Sequence, residues 1–427
     1  MKNSGIEWIG KIPEDWEVKK VKHSFVRKNE KAMQENPIVL SLARTGVRER
    51  DISNNEGQLA ESYYNYNPVD VDDLLINPMD LYSGANCSIS KVKGVISPAY
   101  INLRAKKNVS PVFYDYYFKV QYWMMAFFAH GNGVSFENRW TLNNETLQNY
   151  PIIAPSFETQ QRIASYLDKK CNKIEETIQN QQQVIEKLKA YKQSLITEAV
   201  TGKVKIENGK VCGEYESYKD SGVEWIGKIP SGWEVKKLKF SSQIMRGLFS
   251  HRPRNDPDYY DGVHPFIQTG EVARAVKYIT TYSQTLNELG FSVSREFPAG
   301  TVLLTIAANV GDVAILDFNA CFPDSVIGFY PKENVSKIFM FYVLKSMKEQ
   351  FMRNAIISTQ MNLNINIVKE EFIPLPSLAE QKEIVKFLEK KSDYIDTAIE
   401  QKQNLIEKLT EYKKSLIYEC VTGKKEI

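Results

Sequence analysis

The stretch Ser4-Gly-Ile-Glu-Trp-Ile-Gly-Lys-Ile-Pro13 occurs twice in this chain, and its second copy reads Ser221-Gly-Val-Glu-Trp-Ile-Gly-Lys-Ile-Pro230. Over residues 2–20 and 219–237 the two copies are identical at 15 of 19 positions. A second repeat aligns residues 151–203 with 372–424, with 25 identities in 53 positions and no gap. A solenoid needs three or more short repeats. The pattern therefore indicates that one whole unit, with a head and a tail, has been duplicated.

Between each head and its tail lies a middle segment that is particular to its half. Residues 23–150 and 240–371 share no alignment that can be sustained. The chain therefore divides as follows: a first variable domain at 1–150, a first long-helix region at 151–205, a linker at 206–220, a second variable domain at 221–371 and a second long-helix region at 372–427.

Both tails are predicted to be long helices. Ser377 and Glu380 form a capping box, Ser156 offers the first tail the same serine cap, and Gly202 and Gly423 supply left-handed helix ends. The apolar spacing is narrow and typical of a coiled-coil seam. The predicted seam residues are Ile174, Ile178, Ile185, Leu188, Tyr191 and Leu195 in the first tail, and Ile395, Ile399, Ile406, Leu409, Tyr412 and Leu416 in the second.

The length of these patterns decides between two packing arrangements. Each helix could simply cover its own domain, but each pattern runs for about 40 residues, whereas globular helices average about 11–12. We therefore expect the two tails to pack on each other.

The two variable domains are predicted to mix strands and helices, which makes the fold class α+β. Short apolar runs such as Asp73–Ile76, Gly94–Ser97 and Thr301–Ile306 are typical of strands. The aromatic-rich segments 112–125 and 337–347 favour buried helices, so we interpret their rings as core.

Composition excludes several classes of protein. The 427 residues include 55 basic and 52 acidic side chains, 43% hydrophobic residues and 25% charged residues, which is an ordinary globular balance. Five scattered cysteines without a Cys-x-x-Cys pair disfavour a disulfide framework or a zinc site. The first residues lack the apolar stretch of a signal peptide, and no apolar run reaches the 18 residues of a membrane span. We expect a cytoplasmic protein.

No catalytic motif is complete. Gly5–Lys11 and Gly222–Lys228 match the spacing of a phosphate loop, but isoleucine follows where a Ser or Thr should meet Mg²⁺. The four histidines lack metal-ligand spacing, and Asn67-Pro and Asn77-Pro lack the rest of the motif with which amino-methyltransferases hold a base. We predict that the chain is not an enzyme and holds no metal.

Local basic clusters are the remaining functional signal. Residues 18–29 contain five Lys or Arg and no acid, and residues 235–255 contain six and no acid. A further cluster, Arg44-Thr-Gly-Val-Arg48-Glu-Arg50, contains a glycine turn. Arginine can bind guanine edges or phosphates, so these segments are candidate groove readers. A solvated basic face explains the same residues equally well.

With these repeats and motifs, the chain resembles the specificity (S) subunit of type I restriction–modification systems. The resemblance rests on the Glu-Trp-Ile-Gly-Lys-Ile-Pro heads, on the tail entry Pro374–Ile384 and on the tail ends Glu407–Ile417 and Val421–Lys424. It covers essentially the whole chain. The first tail entry, 152–162, departs from the pattern but keeps Pro155, Ser156 and Gln160.

The resemblance implies an architecture and a set of partners. In this family each variable domain is a target recognition domain that reads half of a bipartite DNA site. The tails pair as an antiparallel coiled coil, which gives the subunit a pseudo-two-fold arrangement. Two methyltransferase subunits dock on it, and translocase–nuclease subunits complete the enzyme. S-adenosylmethionine, ATP and Mg²⁺ then belong to those partners, and this chain needs no cofactor.

The resemblance also places a polar, DNA-facing loop shortly before each tail, at 135–143 and 358–364, where amides could pair with adenine edges. A turn capped by asparagine is the alternative at both places. The candidate DNA-binding residues are Arg44, Arg48, Arg50, Arg139, Asn143, Arg246, Arg252, Arg254, Gln360, Asn362 and Asn364.

Two other functions fit the sequence less well. A non-catalytic coiled-coil adaptor could use its variable domains to bind protein or carbohydrate, and DNA binding that weakens steeply with salt would argue against it. An unrecognised nuclease ranks behind the adaptor.

Overall fold

The computed structural model describes residues 1–43, 45–52, 60–79, 81–82, 86–133, 140–357 and 361–427. The chain forms two compact units. Unit 1 contains Met1–Gln182 and Gln403–Ile427, and unit 2 contains Gln183–Lys402. Each unit therefore includes one head, one variable domain and a part of both tails.

Helices occur throughout the described residues, and two of them are far longer than the others. Their bounds are Val21–Ser24, Pro111–Trp123, Ala126–Ala129, Asn144–Asn149, Phe157–Val200, Leu238–Ser241, Thr269–Arg274, Glu288–Ser292, Lys337–Ser346, Lys348–Asn354, Ile365–Glu370 and Leu378–Val421, with a 3-10 turn at Pro257–Tyr259.

The largest sheet of unit 1 has four antiparallel strands in the order Phe25–Lys28, Ile101–Ala105, Leu74–Ile76 and Cys87–Ile89. The other strands of this unit form antiparallel pairs. They are Lys2–Asn3 with Lys11–Ile12, Glu17–Lys20 with Pro151–Ala154, Leu40–Ala43 with Gly46–Glu49, and Asn67–Val69 with Gly94–Ile96.

Unit 2 contains two larger sheets. The five-stranded sheet has the order Ser242–Arg246, Val326–Pro331, Val302–Thr305, Val313–Leu316 and Tyr278–Ile279. The four-stranded sheet has the order Gln284–Leu286, Tyr260–Phe266, Ala320–Cys321 and Glu296–Phe297. Antiparallel pairs complete the unit: Lys205–Glu207 with Lys210–Gly213, Tyr218–Asp220 with Lys228–Pro230, Glu234–Lys237 with Phe372–Leu375, and Ile356–Ile357 with Met361–Asn362.

The first long helix (Phe157–Val200) and the second long helix (Leu378–Val421) each have 44 residues. The predicted capping box is confirmed, because Glu380 N donates to Ser377 Oγ at 3.3 Å and Ser377 N donates to Glu380 Oε2 at 3.2 Å. Gly202 and Gly423 follow the helix ends with φ of 72° and 70°, as the left-handed helix end requires.

The two long helices pack against each other within each unit. In unit 1, Ile174 of the first helix and Leu416 of the second lie in one core cluster, and Lys413 donates to Glu175. In unit 2, Leu195 and Ile395 share a core cluster.

There, Lys192 pairs with Asp396, with Nζ 2.6 Å from Oδ2. The partner's number falls as the first helix's number rises, so the helices are antiparallel, as predicted. The repeat also pairs Glu175 with Asp396 and Lys192 with Lys413 in alignment. The same interhelical ion pair is therefore made twice.

Two residues of the predicted seam do not lie in it. Tyr191 and Tyr412 are each 54% exposed, so their assignment to the seam is wrong. The spacing of three and four residues from Ile185 leads through Leu188 to position 192, which places a lysine in the seam and turns Tyr191 outward. The ten aliphatic seam residues are buried or half-buried, as predicted.

Each tail ends against a head. In unit 2, a Cβ on Gly202 would lie 2.4 Å from Pro230 Cδ and 3.0 Å from the Trp233 ring. In unit 1, a Cβ on Gly423 would lie 2.4 Å from Pro13 Cδ. The second tail thus contacts the first head in the way that the first tail contacts the second head, and glycine is required at both contacts.

The two variable domains contact the long helices in the same way despite their unrelated sequences. Each contains a helix capped by a serine, at Ser110 or Ser336, and the capping residue donates its backbone N–H to a buried glutamine of a long helix. The distances are 2.9 Å to Gln160 Oε1 and 2.8 Å to Gln381 Oε1. Each glutamine thus links one variable domain to its frame, by which we mean the head and the tail helix of the same half. Most aromatic residues of both segments are core, as predicted, with Phe113, Tyr114 and Phe339 fully buried, whereas Trp123 is 39% exposed and does not belong to the core.

In the part of the chain that the structure describes, every helix is too short or too polar to cross a membrane.

Candidate DNA interface

Unit 2 brings together candidate residues that are distant in the sequence. Arg246 and Arg254 line a cleft of about 530 Å³ together with Asn362 and Asn364. Arg246 ends the strand Ser242–Arg246, whereas the asparagines follow more than a hundred residues later. The cleft therefore combines guanidinium and amide groups, the donors that read guanine and adenine edges in a groove.

Asp324 lies at the centre of the arginine cluster. Arg254 donates to Asp324 Oδ1, and Arg252 Nη2 lies 3.4 Å from Asp324 Oδ2. Arg246 donates through Nε to the backbone carbonyl of the same residue. Three predicted arginines thus converge on one residue that the sequence analysis did not identify.

The arginine segment approaches the Asp324 turn so closely that only glycine fits between them. A Cβ on Gly247 would lie 2.3 Å from Pro323 O and 2.4 Å from Phe322 O. Gly247 N and Leu248 N donate to Val326 O and Phe322 O. This backbone contact positions Arg246 and the following loop over the turn.

The loop that carries Arg252 and Arg254 is held by its own contacts. Arg252 Nη1 donates to Phe249 O at 2.6 Å and to His251 O at 2.7 Å. The His251 ring stacks on Tyr259 at 3.8 Å, and its Nε2 lies 3.0 Å from Asp256 Oδ2. Arg252 and Arg254 remain about half exposed, so their guanidinium groups are accessible from solvent.

The two asparagines of the cleft differ in their structural roles. Asn364 caps the helix Ile365–Glu370, because its side chain accepts a hydrogen bond from Asn366 N at 2.9 Å. Asn362 is exposed at the end of the strand Met361–Asn362. Asn362 is therefore the better candidate for contacting a base.

In unit 1, the predicted arginine loop is a hairpin of the strands Leu40–Ala43 and Gly46–Glu49. Arg48 is exposed on the second strand, opposite Ser41, while Leu40 and Leu42 bury the other face. Arg50 follows the hairpin and is half-buried. The hairpin thus presents Arg48 to solvent from a rigid strand.

Asn143 plays the part in unit 1 that Asn364 plays in unit 2. Its side chain accepts a hydrogen bond from Thr146 N at 2.8 Å and caps the helix Asn144–Asn149. Asn143 and Asn364 each lie eight residues before the start of the long repeat, and the capping alternative holds at both positions. Three other candidates, Arg44, Arg139 and Gln360, lie outside the described residues.

Most described lysines of the second basic run are engaged in ion pairs. Lys237 and Lys239 both donate to Glu370, and Lys236 pairs with Glu234 at 2.7 Å. The hydrogen bonds from Lys237 and then Lys239 lower the pKa of Glu370 to about 2. These lysines lie on the strand Glu234–Lys237 and the helix Leu238–Ser241 and do not line the cleft, so the arginines are the principal cationic candidates of unit 2.

Asp324 and Ser325 are the polar cleft residues that the sequence analysis did not identify, and the apolar lining residues Ile306, Ala307, Leu363 and Ile365 were not identified either. Asp324 and Ser325 precede the strand Val326–Pro331, which pairs with Ser242–Arg246. This pairing joins residues about 80 positions apart, and no local sequence motif predicts it. Asp324 and Ser325 could have been predicted only if the pairing of these two strands had been known.

Among the described residues, no group of three or more His, Cys, Asp or Glu side chains is arranged to hold a metal ion.

The model of the type I restriction modification DNA specificity domain matches residues 13–187 and again residues 230–409. These two matches cover most of both halves of the chain. The chain therefore belongs to the family of type I restriction–modification DNA specificity domains, and it carries two recognition domains.

Relatives from two organisms support the assignment. The type I restriction enzyme MjaIX specificity subunit of Methanocaldococcus jannaschii is 32% identical over 180 residues, which are 41% of this chain and 40% of that protein. The type I restriction enzyme EcoBI specificity subunit of Escherichia coli is 25% identical over 357 residues, which are 80% of this chain and 70% of that protein.

Solved structures share the fold. A chain from a structure of the assembly and conformational transition of the type I R-M system superposes with a TM-score of 0.73 at 14% identity, covering 97% of this chain and all of that one. The HsdS subunit of Thermoanaerobacter tengcongensis superposes with a TM-score of 0.53, also at 14% identity, and each chain is fully covered.

Proposed function

We propose that each recognition domain of this specificity subunit binds one half of a bipartite duplex DNA sequence. The observation that carries the proposal is the convergence of Arg246 and Arg254 with Asn362 at one cleft of unit 2, where Arg252 also reaches the cleft residue Asp324. Arginine forks and amides on a rigid support are the groups that read base edges in the major groove. In unit 1 the corresponding candidate is Arg48 on its hairpin.

The long helices are the proposed docking surface for two methyltransferase subunits. Both units repeat the same frame contacts, including the ion pair of Lys192 with Asp396 and its counterpart. Two like frames suit two copies of one partner. Translocase–nuclease subunits would join the same cytoplasmic complex.

Catalysis belongs to the partners in this proposal. The chain itself would hold no cofactor, and S-adenosylmethionine, ATP and Mg²⁺ would be bound by the other subunits. We expect the highly purified chain neither to cleave nor to methylate DNA. Methyl transfer from S-adenosylmethionine by the chain alone would contradict this assignment.

Methylome sequencing tests the DNA proposal directly. The chain would be expressed with its methyltransferase partner in a strain that lacks other modification systems. We expect methylated adenines or cytosines in a motif with two defined halves and an undefined spacer. Methylation without a bipartite motif would overturn the proposal.

A further inference from the structure

The arginine cluster of unit 2 is already occupied by an anion of the protein itself. Asp324 presents one carboxylate oxygen to Arg254 and the other to Arg252. The Asp324 side chain is 30% exposed, and those of Arg252 and Arg254 are 51% and 45% exposed. The ion pair therefore lies at the surface of the cleft, where DNA would have to bind.

The geometry of this contact imitates a DNA ligand. Two guanidinium groups that each donate to one oxygen of a small anion could bind a phosphate in the same way, and either guanidinium, once released, could donate instead to the O6 and N7 acceptors of a guanine. We propose that Asp324 is a built-in competitor, which DNA must displace from Arg252 and Arg254 before either arginine can bind it. This inference rests on the proposed DNA-binding function.

Competition by Asp324 increases the preference of the cleft for a correct half-site over non-specific DNA. A carboxylate on the same domain acts at a high effective concentration and costs no association entropy. A single phosphate offers the arginines little more than Asp324 does, so non-specific duplex gains little from the exchange. A correct half-site adds further contacts in the cleft, for example to Asn362, and these contacts favour displacement.

The backbone keeps the competitor in place. Arg246 donates to the backbone carbonyl of Asp324, and Gly247 packs directly against the backbone of the turn that carries Asp324. Removing the Asp324 carboxylate leaves Arg252 positioned by Phe249 O and His251 O, which accept from its side chain, and leaves the backbone of Arg254 held by the Tyr260 hydroxyl, which donates to Arg254 O. The loop should stay folded in an Asp324 variant.

The test measures binding of the intact chain to a random 30-base-pair duplex over a range of salt concentrations. We expect Asp324→Asn and Asp324→Ala to tighten this binding about tenfold or more, and to steepen the salt dependence by about one to two counterions. Glu234→Gln, which removes a carboxylate paired with Lys236 outside the cleft, is the charge-matched control and should leave both quantities nearly unchanged.

Two synthetic DNA duplexes show which group of the DNA replaces Asp324 on the arginines. An equal gain on poly(dA)·poly(dT) and poly(dG)·poly(dC) would identify phosphate as the ligand, and a gain confined to the guanine polymer would identify the base edge. Wild-type binding together with unchanged or weaker binding of both Asp324 variants would overturn the inference. Failure of the wild-type chain to bind any duplex would instead count against the proposed function.

Discussion

At the scale of single residues, the two arginines held by Asp324 are the most informative positions. Replacing both Arg252 and Arg254 by Ala should alter recognition of one half-site and leave the other unchanged, because all their described contacts lie in unit 2. A good bidentate contact contributes about 1–3 kcal/mol of discrimination between bases. Competition binding with duplexes that vary one half at a time measures the effect.

Equal weakening on every sequence would make Arg252 and Arg254 phosphate contacts. The matched variant is Arg48→Ala in unit 1, which should affect the opposite half-site.

Lys345 provides a second residue-scale prediction. Burial, followed by the nearby charge of Lys192, lowers the pKa of Lys345 to about 8. An unfolded lysine has a pKa of about 10.4, so between pH 8 and 10 the folded chain holds fewer protons than the unfolded chain. The free energy of unfolding should therefore rise with pH across this range.

Lys345→Met should remove this pH-dependent rise and stabilise the protein by about 2–3 kcal/mol at pH 7. Urea unfolding at pH 7 and pH 9.5 measures both effects. The exposed Lys187→Met is the control, and equal behaviour of the two variants would contradict the assigned burial cost.

At the scale of elements, the antiparallel seam separates two kinds of residue on one helix. Leu416 is 1% exposed and Tyr412 is 54% exposed, although the sequence pattern gave both the same role. Leu416→Ala should cost about 2–5 kcal/mol because it leaves a cavity in the core of unit 1. Tyr412→Ala should change stability by less than about 0.5 kcal/mol.

Thermal unfolding of the two variants measures this difference. A large destabilisation by Tyr412→Ala would place that ring in a packed interface of the isolated chain and contradict the seam.

The long helices were the most predictable elements. Their caps, glycine ends and aliphatic seam follow from local spacing, which a sequence displays directly. Tyr191 was included because it recurs at the spacing of the aliphatic residues, but it is 54% exposed and the less exposed Lys192 lies in the seam instead. The lysine is nevertheless accommodated there because its charge reaches Asp396.

The cleft was only half predictable. Arginine and asparagine clusters are visible as composition, but their meeting point depends on pairing between the strands Ser242–Arg246 and Val326–Pro331. Long-range strand pairing leaves no local signature, so Asp324 remained hidden. The capping roles of Asn143 and Asn364 were foreseen as the alternative to base contact.

At the scale of the whole molecule, the duplication predicts that half of the chain can assemble with itself. A fragment of residues 1–203 contains one head, one recognition domain and one long helix. Its Gly202 can meet Pro13 of a second copy, because Gly423 makes that contact in the full chain and the two tail ends are aligned. Two fragments should therefore pair antiparallel through their exposed apolar stripes.

With the methyltransferase partner, the fragment dimer should modify a palindrome made of the first half-site and its inverse. Sedimentation at micromolar concentration measures the pairing. A well-folded monomer would reject the model, and so would a dimer that still modified the original asymmetric site.

The contact of the second tail with the first head also bears on the order in which the segments of the chain can be joined. Met1 and Ile427 line one pocket of about 430 Å³ in unit 1, where Gly423 lies against Pro13. Residues 1 and 427 of this sequence therefore lie near each other in unit 1. A cyclically permuted chain that opens between residues 214 and 217, outside the paired strands of the linker, and joins residue 427 to residue 1 should keep the contacts between tails and heads. We expect the order of the two recognition domains in such a chain to leave the fold unchanged.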